Sequence, residues 1–216
     1  MVSRRDVLKG AAAVGLWAAG GSHAKAWRQA FAPAGETLLG YVDPFIGTGG
    51  DGHTFPGAAV PGGLVQLGPD SGPQGWARAA GYHYSDTEIA GFSHTHLSGT
   101  GIGDLCDILV MPTQAGAEMP GRVVSPFSHE KEKAAPGSYS VDLQAFDIRA
   151  ELTATRRVGL HRYSFLRPAT SRQPAVSLDL GFAVKGDEPL DTRITLEGPT
   201  TISGYRFSRG WAKDQR

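Results

Sequence analysis

The chain has a single cysteine, Cys106, no surplus of either charge, and no apolar run long enough to cross a membrane. A lone cysteine excludes a disulfide framework and any four-cysteine zinc site. Twenty-one basic residues against 21 acidic ones argue against a nucleic-acid partner bound by phosphate neutralisation. Long stretches of 3.6-residue periodicity are also missing, which excludes a helical bundle. Glycine and proline, by contrast, are abundant, at 30 and 14 of the 216 residues. With no collagen repeat, that excess points to a loop-rich β protein. Four tryptophans, nine phenylalanines and 40% hydrophobic residues exclude global disorder.

The first 26 residues read as an address. Arg4 and Arg5 precede an apolar, small-residue run from Gly10 to Gly20, and Ala24-Lys25-Ala26 follows. A basic start, a short apolar stretch and an A-x-A site make an export signal, and the adjacent arginines make it a twin-arginine one. The run is too short to span about 30 Å of hydrocarbon, so no stable membrane anchor is expected. Without this segment 17 basic and 20 acidic residues remain, a mild negative charge that suits a soluble periplasmic or secreted protein. Cys106 lies too far downstream to carry a lipid, and its solitude fits folding in a reducing cytoplasm before export.

Residues 27–40 read as a linker. Residues 41–104 hold short apolar stretches, such as Gly63–Leu67, broken by Gly and Pro, together with His53, His83, His94 and His96. From there on the pattern becomes regular. Asp107–Met111 is a buried-strand run closed by Pro112. Ser138–Leu143, Ile148–Thr155 and Leu160–Phe165 alternate, with Ile148, Ala150, Leu152 and Ala154 on one face. Val176–Leu180, Thr192–Leu196 and Ile202–Phe207 continue the series. Strands recurring every 10 to 15 residues predict an antiparallel β-sandwich or barrel. The last residues, Trp211 to Arg216, do not form a closing edge strand, so the sandwich is expected to be incomplete at its C-terminal end.

Several constellations bear on chemistry. If His94-Thr95-His96 is extended, both imidazoles share a face and suit a transition metal. A third ligand would have to come from His53, His83, Asp104 or Asp107. The alternatives are a pair hydrogen-bonded within a loop, or one polar wall of a ligand pocket. Gly47-Thr48-Gly49-Gly50-Asp51-Gly52-His53 lacks the lysine of a P-loop. Its glycines instead permit positive φ and close backbone approach to a ligand, or simply make a tight structural loop. Gln74-Gly75-Trp76 and Gly81–Asp86 place aromatics beside polar groups, as a sugar pocket requires. The same aromatics would serve equally as ordinary core residues. Asp43, Asp51, Asp70, Asp86, Glu88, Asp104 and Asp107 are all available as catalytic carboxylates, but spacing selects no pair among them.

Longer motifs resemble the start of glycoside hydrolase family 92. Tyr41-Val42-Asp43-Pro44-Phe45-Ile46-Gly47-Thr48-Gly49-Gly50 runs into Gly52-His53-Thr54-Phe55-Pro56-Gly57-Ala58. The likeness continues through Val60–Asp70, Gly81–Tyr84, Gly91-Phe92-Ser93-His94-Thr95-His96-Leu97-Ser98-Gly99-Thr100-Gly101, Glu151–Tyr163 and Ile202–Tyr205. It spans residues 41–216. Asp51 departs from the pattern, where histidine is more usual, and so does Gly62, where an aromatic is.

The resemblance implies the N-terminal, supersandwich-like domain of a calcium-dependent, inverting exo-α-mannosidase acting on mannose-containing glycans. In that family a C-terminal helical domain completes the active site and supplies the acid and base carboxylates and most of the calcium site. Its implied contribution from this chain is one wall of the pocket: Gly50, Asp51, His53, Trp76, His94, His96, Ser98 and Gly99, with no catalytic carboxylate and no metal ligand. An inverting pair must stand about 6.5–9.5 Å apart to admit water, and calcium takes oxygen rather than imidazole. Two other readings stay open. One is a free-standing carbohydrate-binding module built on Trp76, and the other is a cupin-like metalloenzyme using His94 and His96.

Overall fold

The structure, a computed structural model, describes residues 38–71, 75–114, 123–166, 173–184 and 187–211. The export signal, Gln74 and most of the linker lie outside the described residues. Among the described residues twelve strands run in the order β1 (Ala58–Ala59), β2 (Gln66–Ser71), β3 (Glu88–Ser93), β4 (Leu109–Gln114), β5 (Ser125–Pro126), β6 (Lys133–Ala135), β7 (Ser138–Leu143), β8 (Ile148–Ala154), β9 (Gly159–Phe165), β10 (Pro174–Asp179), β11 (Glu188–Leu196) and β12 (Ile202–Arg209). Only short 3-10 turns interrupt them among the described residues. One sheet has the order β1-β2-β3-β4-β10, with β5 beside β3. A second is the meander β6-β7-β8-β9, and β11-β12 form a separate hairpin. All pairings are antiparallel. The predicted antiparallel β-sandwich is what forms.

Alternation explains the meander. Tyr139, Val141 and Leu143 of β7 stand opposite Leu152, Ala150 and Ile148 of β8, and all six are fully buried. Between them opposite charges stand in register: Asp142 against Arg149, and largely buried Glu151 against Arg162. Arg149 Nε donates to Asp142 Oδ1 at 2.7 Å and Arg162 Nε to Glu151 Oε2 at 2.6 Å. Such cross-strand pairs hold the register that puts the apolar set inside. The first sheet lays Leu67, Ile89, Phe92 and Met111 onto that face in one shared core. Each side chain so enclosed contributes about 1.5–3 kcal/mol.

Strands β7, β8 and β9 follow the sequence reading within a residue. β4 does not begin where expected. The stretch before it is drawn out of the ladder, with Leu105, Cys106 and Ile108 at φ of 66°, 58° and 60°. Of the strand pattern expected at Gly63–Leu67 only Gln66 and Leu67 enter β2, and β3 escaped the sequence reading; both strands are buried on nearly every residue. No alternation marks such a strand. The outer side of this sheet is covered by a second cluster, Cys106, Leu109, Phe182 and Val184.

A polar clamp crosses the core. Buried Glu132 accepts the Tyr139 hydroxyl at 2.6 Å, the Tyr82 hydroxyl at 3.0 Å, and lies 2.6 Å from His129 Nδ1. Burial, reinforced by the Glu132 carboxylate, pushes both phenols above their usual range, so they remain donors. Tyr139→Phe leaves a buried carboxylate oxygen without its donor. It is expected to destabilise the domain by about 2 kcal/mol, read as a lower urea midpoint with an unchanged slope.

Candidate functional site

The loops at one end of the sandwich converge on His53 and Trp76. The turn from Gly47 to His53 closes on itself, with Gly52 N–H donating to Gly49 O at 3.3 Å and Thr54 N–H to Gly47 O at 3.2 Å. Only glycine fits at 52, because a Cβ there would lie 2.2 Å from the Gly47 carbonyl oxygen. His83 ties the loop down from the next segment. Its Nδ1 accepts from Ser85 N–H at 3.2 Å, so its Nε2–H is the donor to Gly50 O at 3.3 Å. Tyr84 N–H adds a bond to Thr48 O at 2.8 Å.

His53 is 6% exposed, sits at φ 51°, and has neither ring nitrogen paired within the protein. Its carbonyl accepts from Gly99 N–H at 2.6 Å, which binds the Ser98–Gly101 loop to the glycine-rich one. Trp76 packs edge-on against the imidazole, with ring centroids 4.3 Å apart at 71°. The indole is nonetheless 57% exposed. It rides on a 3-10 turn, Trp76–Arg78. Arg78 grips buried Asp86, which in turn accepts from Ser71 Oγ of β2 at 2.8 Å. A buried ion pair anchored to a strand thus holds an exposed aromatic in place. Gly101, at φ 66°, leaves only 3.2 Å between a Cβ and the His53 ring. A side chain at 101 would therefore crowd that imidazole and would also be strained by the positive φ.

Of the residues expected to line a pocket, Gly50, Asp51, His53, Trp76, Ser98 and Gly99 are brought into this loop cluster, and Gly50, Asp51, Ser98 and Gly99 are exposed. His94 and His96 are placed elsewhere. β3 ends at Ser93, so the histidines do not continue an extended strand, and each turns to its own partners. His94 Nδ1–H donates to Ile108 O at 2.9 Å. Its Nε2 must then accept from His161 Nε2–H at 3.1 Å, and His161 Nδ1 from the Tyr163 hydroxyl at 2.7 Å. His96 Nδ1–H donates to Gln66 O at 2.7 Å, and the ring stacks on Phe55 with centroids 4.1 Å apart. The two imidazoles do not converge on one ion, which removes the geometry a cupin-like centre on that pair would need.

Sequence reasoning undervalued His83 and Arg78. The positioning role of each depends on contacts 33 and 8 residues away, which local pattern does not reveal. The carboxylates are largely consumed by the fold. Asp43 caps the turn at Phe45, Asp70 accepts from Ser93 N–H, Asp86 holds Arg78, and Asp107 accepts from Thr95 and pairs with Arg206. The Cys106 thiol is pushed well up by burial and then by the Asp70 carboxylate, so it is no nucleophile in that state.

Comparison with known proteins fits this arrangement. The family described as glycosyl hydrolase family 92 N-terminal domain matches residues 41–216. The chain belongs to glycoside hydrolase family 92. A family 92 α-mannosidase from Bacteroides thetaiotaomicron, solved in complex with mannoimidazole, is 34% identical. It superposes with a TM-score of 0.77 over 83% of this chain and 24% of its own. An inverting mannosidase of the same family and species is 28% identical, with a TM-score of 0.63 over 81% of this chain and 25% of its own. An uncharacterised secreted glycosidase of Arthroderma benhamiae is 29% identical over 157 residues, 66% of this chain and 20% of that protein. The chain thus spans about a fifth to a quarter of the length of these family 92 relatives.

The His94–His161–Tyr163 relay makes a pH prediction. Burial, and then His94, lowers His161 to about 3, against about 6.5 when unfolded. Between those values the unfolded chain binds the proton and the folded one does not. The stability from the neutral ring is complete above about pH 6.5 and is lost as pH falls toward 3, by up to about 1.4 kcal/mol per unit. Thermal melts of His161→Gln across that range are expected to show a flatter acid limb than the native protein.

Proposed function

We propose that this domain is the substrate-binding wall of a secreted, calcium-dependent, inverting exo-α-mannosidase that trims mannose-containing glycans. The observation that carries the reading is the pairing of exposed Trp76 with buried His53, whose two ring nitrogens have no protein partner. A sugar's C–H face covers the indole, and the enclosed imidazole braces that platform edge-on. Gly50, Asp51, Ser98 and Gly99 would border the same ring with backbone groups and short side chains. The solved α-mannosidase that is 34% identical, held with mannoimidazole, favours a mannose-type ligand. The family relationship favours an enzyme over a free-standing binding module.

The acid and base are assigned outside this chain, to a helical domain docked on these loops. Calcium is assigned there as well. The group of three His, Cys or acidic side chains that the described residues bring together, Asp70, His96 and Cys106, is buried and includes a thiol, a poor match for a hard cation. Residues 27–216 alone are therefore inactive in this reading. Export fits the secreted relative, and the route proposed for it is the twin-arginine signal.

The whole protein is expected to release mannose with inversion and to lose that activity on calcium chelation, whereas residues 27–216 release none. Trp76→Ala in the whole protein is expected to cost about 2 kcal/mol of transition-state binding, roughly thirtyfold in kcat/KM, with little change in melting temperature. An undiminished kcat/KM would remove the tryptophan from the site. Replacing Arg4 and Arg5 by lysine is expected to leave the protein in the cytoplasm, as cell fractionation would show.

A further inference from the structure

A second constellation lies beneath the loop cluster, inside the fold. Asp70, His96 and Cys106 come from β2, from the bridge following β3, and from the loop before β4. They are 1%, 2% and 0% exposed, and their ligand atoms all lie within 4.8 Å of one another. We propose that they form a structural transition-metal site of the zinc type, independent of any calcium used in catalysis.

Four features of the chemistry carry this. First, His96 is oriented as a ligand. A carbonyl oxygen can only accept, so the bond to Gln66 O puts the ring proton on Nδ1 and turns the Nε2 lone pair toward the other two groups. A histidine that donates its remaining N–H to a backbone carbonyl is the usual outer support of a metal-bound imidazole. Second, Asp70 is half used. One carboxylate oxygen accepts Ser93 N–H at 2.8 Å, while Oδ1 is buried with no hydrogen-bond partner and faces the cluster. Third, the spacing suits the ion. Arms of 2.0–2.1 Å to nitrogen and oxygen give a tetrahedral edge of roughly 3.3 Å. His96 Nε2 and Asp70 Oδ1 stand 3.5 Å apart. Ser93 Oγ, 3.2 Å from the same nitrogen, is placed for the fourth position. Fourth, the charge closes. A carboxylate and a thiolate neutralise a divalent cation, and binding releases the thiol proton to solvent. Thiolate and imidazole select zinc-like ions and reject calcium.

The site is closed on all sides, which marks it as structural rather than catalytic. It would pin the segment in which Leu105, Cys106 and Ile108 all hold positive φ to the two strands beneath Trp76 and His53. Without an ion, the same groups form a buried polar contact of Asp70, His96, Ser93 and a neutral thiol, and that is the alternative to be tested against.

The whole protein, grown with zinc and then desalted through a chelating column, is expected to keep stoichiometric zinc by elemental analysis. Cobalt(II) loaded in its place is expected to give thiolate-to-cobalt charge-transfer absorption. Cys106→Gly removes the sulfur and suits a φ of 58°, so it is expected to fold while losing both signals. Asp70→Asn, nearly isosteric, is expected to weaken cobalt binding by roughly tenfold or more. Native protein with neither zinc nor the absorption band overturns the proposal. So does Cys106→Gly with unchanged zinc, or Asp70→Asn with unchanged cobalt affinity.

Discussion

Strand β3 is covered on both faces, and much of the structure follows from that enclosure. One side packs Phe92 and Ile89 against the meander, and the other lies under the cluster of Leu109, Phe182 and Val184. A polar group entering such a place must bring its own partner or cost about 1–3 kcal/mol. The residues at the end of β3 therefore turn to backbone carbonyls and to one another. Ser93 meets Asp70, His94 meets Ile108, and His96 meets Gln66. These bonds set the tautomers of His94 and His96, and the bond to His94 sets that of His161. Two of the four histidines that look chemically active in the sequence, His94 and His96, are in the fold members of this hydrogen-bonded network.

That rigidity is what the candidate site rests on. Trp76 presents a flat apolar face to solvent only because Arg78, Asp86 and Ser71 hold its turn against β2. His53 can remain buried with two unused ring nitrogens because Gly99 binds its carbonyl and Gly101 gives its ring room. The site is an end-of-sandwich arrangement in which loops carry recognition and strands carry position. A proposed zinc ion below it would add a third tether, to the segment whose backbone is least relaxed.

Much of the frame was legible from residues 138 to 165, where apolar and polar positions alternate and a half-exposed meander is the only arrangement that buries one set and wets the other. β3 and most of β2 were not legible. Their residues are buried on both sides, and a run such as Gln66-Leu67-Gly68-Pro69-Asp70-Ser71 carries no period to read. The hairpin β11–β12 was found but placed a few residues short at its ends, in a region with weak alternation. In the site, Gly50, His53 and Trp76 are singled out by their places in the motifs that resemble the family. The positioning roles of His83, read only as a possible metal ligand, and of Arg78 depend on contacts 33 and 8 residues away.

The sequence alone determined the class of fold and the family, and it nominated the loops proposed to face a ligand. Each of these depends on composition, on period-two alternation or on runs of identical motif, all of them local. Only the tertiary structure decided which histidines are free. His53, His94 and His96 are the same residue type in similar glycine-rich company. Folding leaves the first without a partner, and it sets the other two against carbonyls contributed by Ile108 and Gln66. Whether an imidazole can reach a ligand is decided by what else is buried beside it, and that depends on contacts 14 and 30 residues away along the chain.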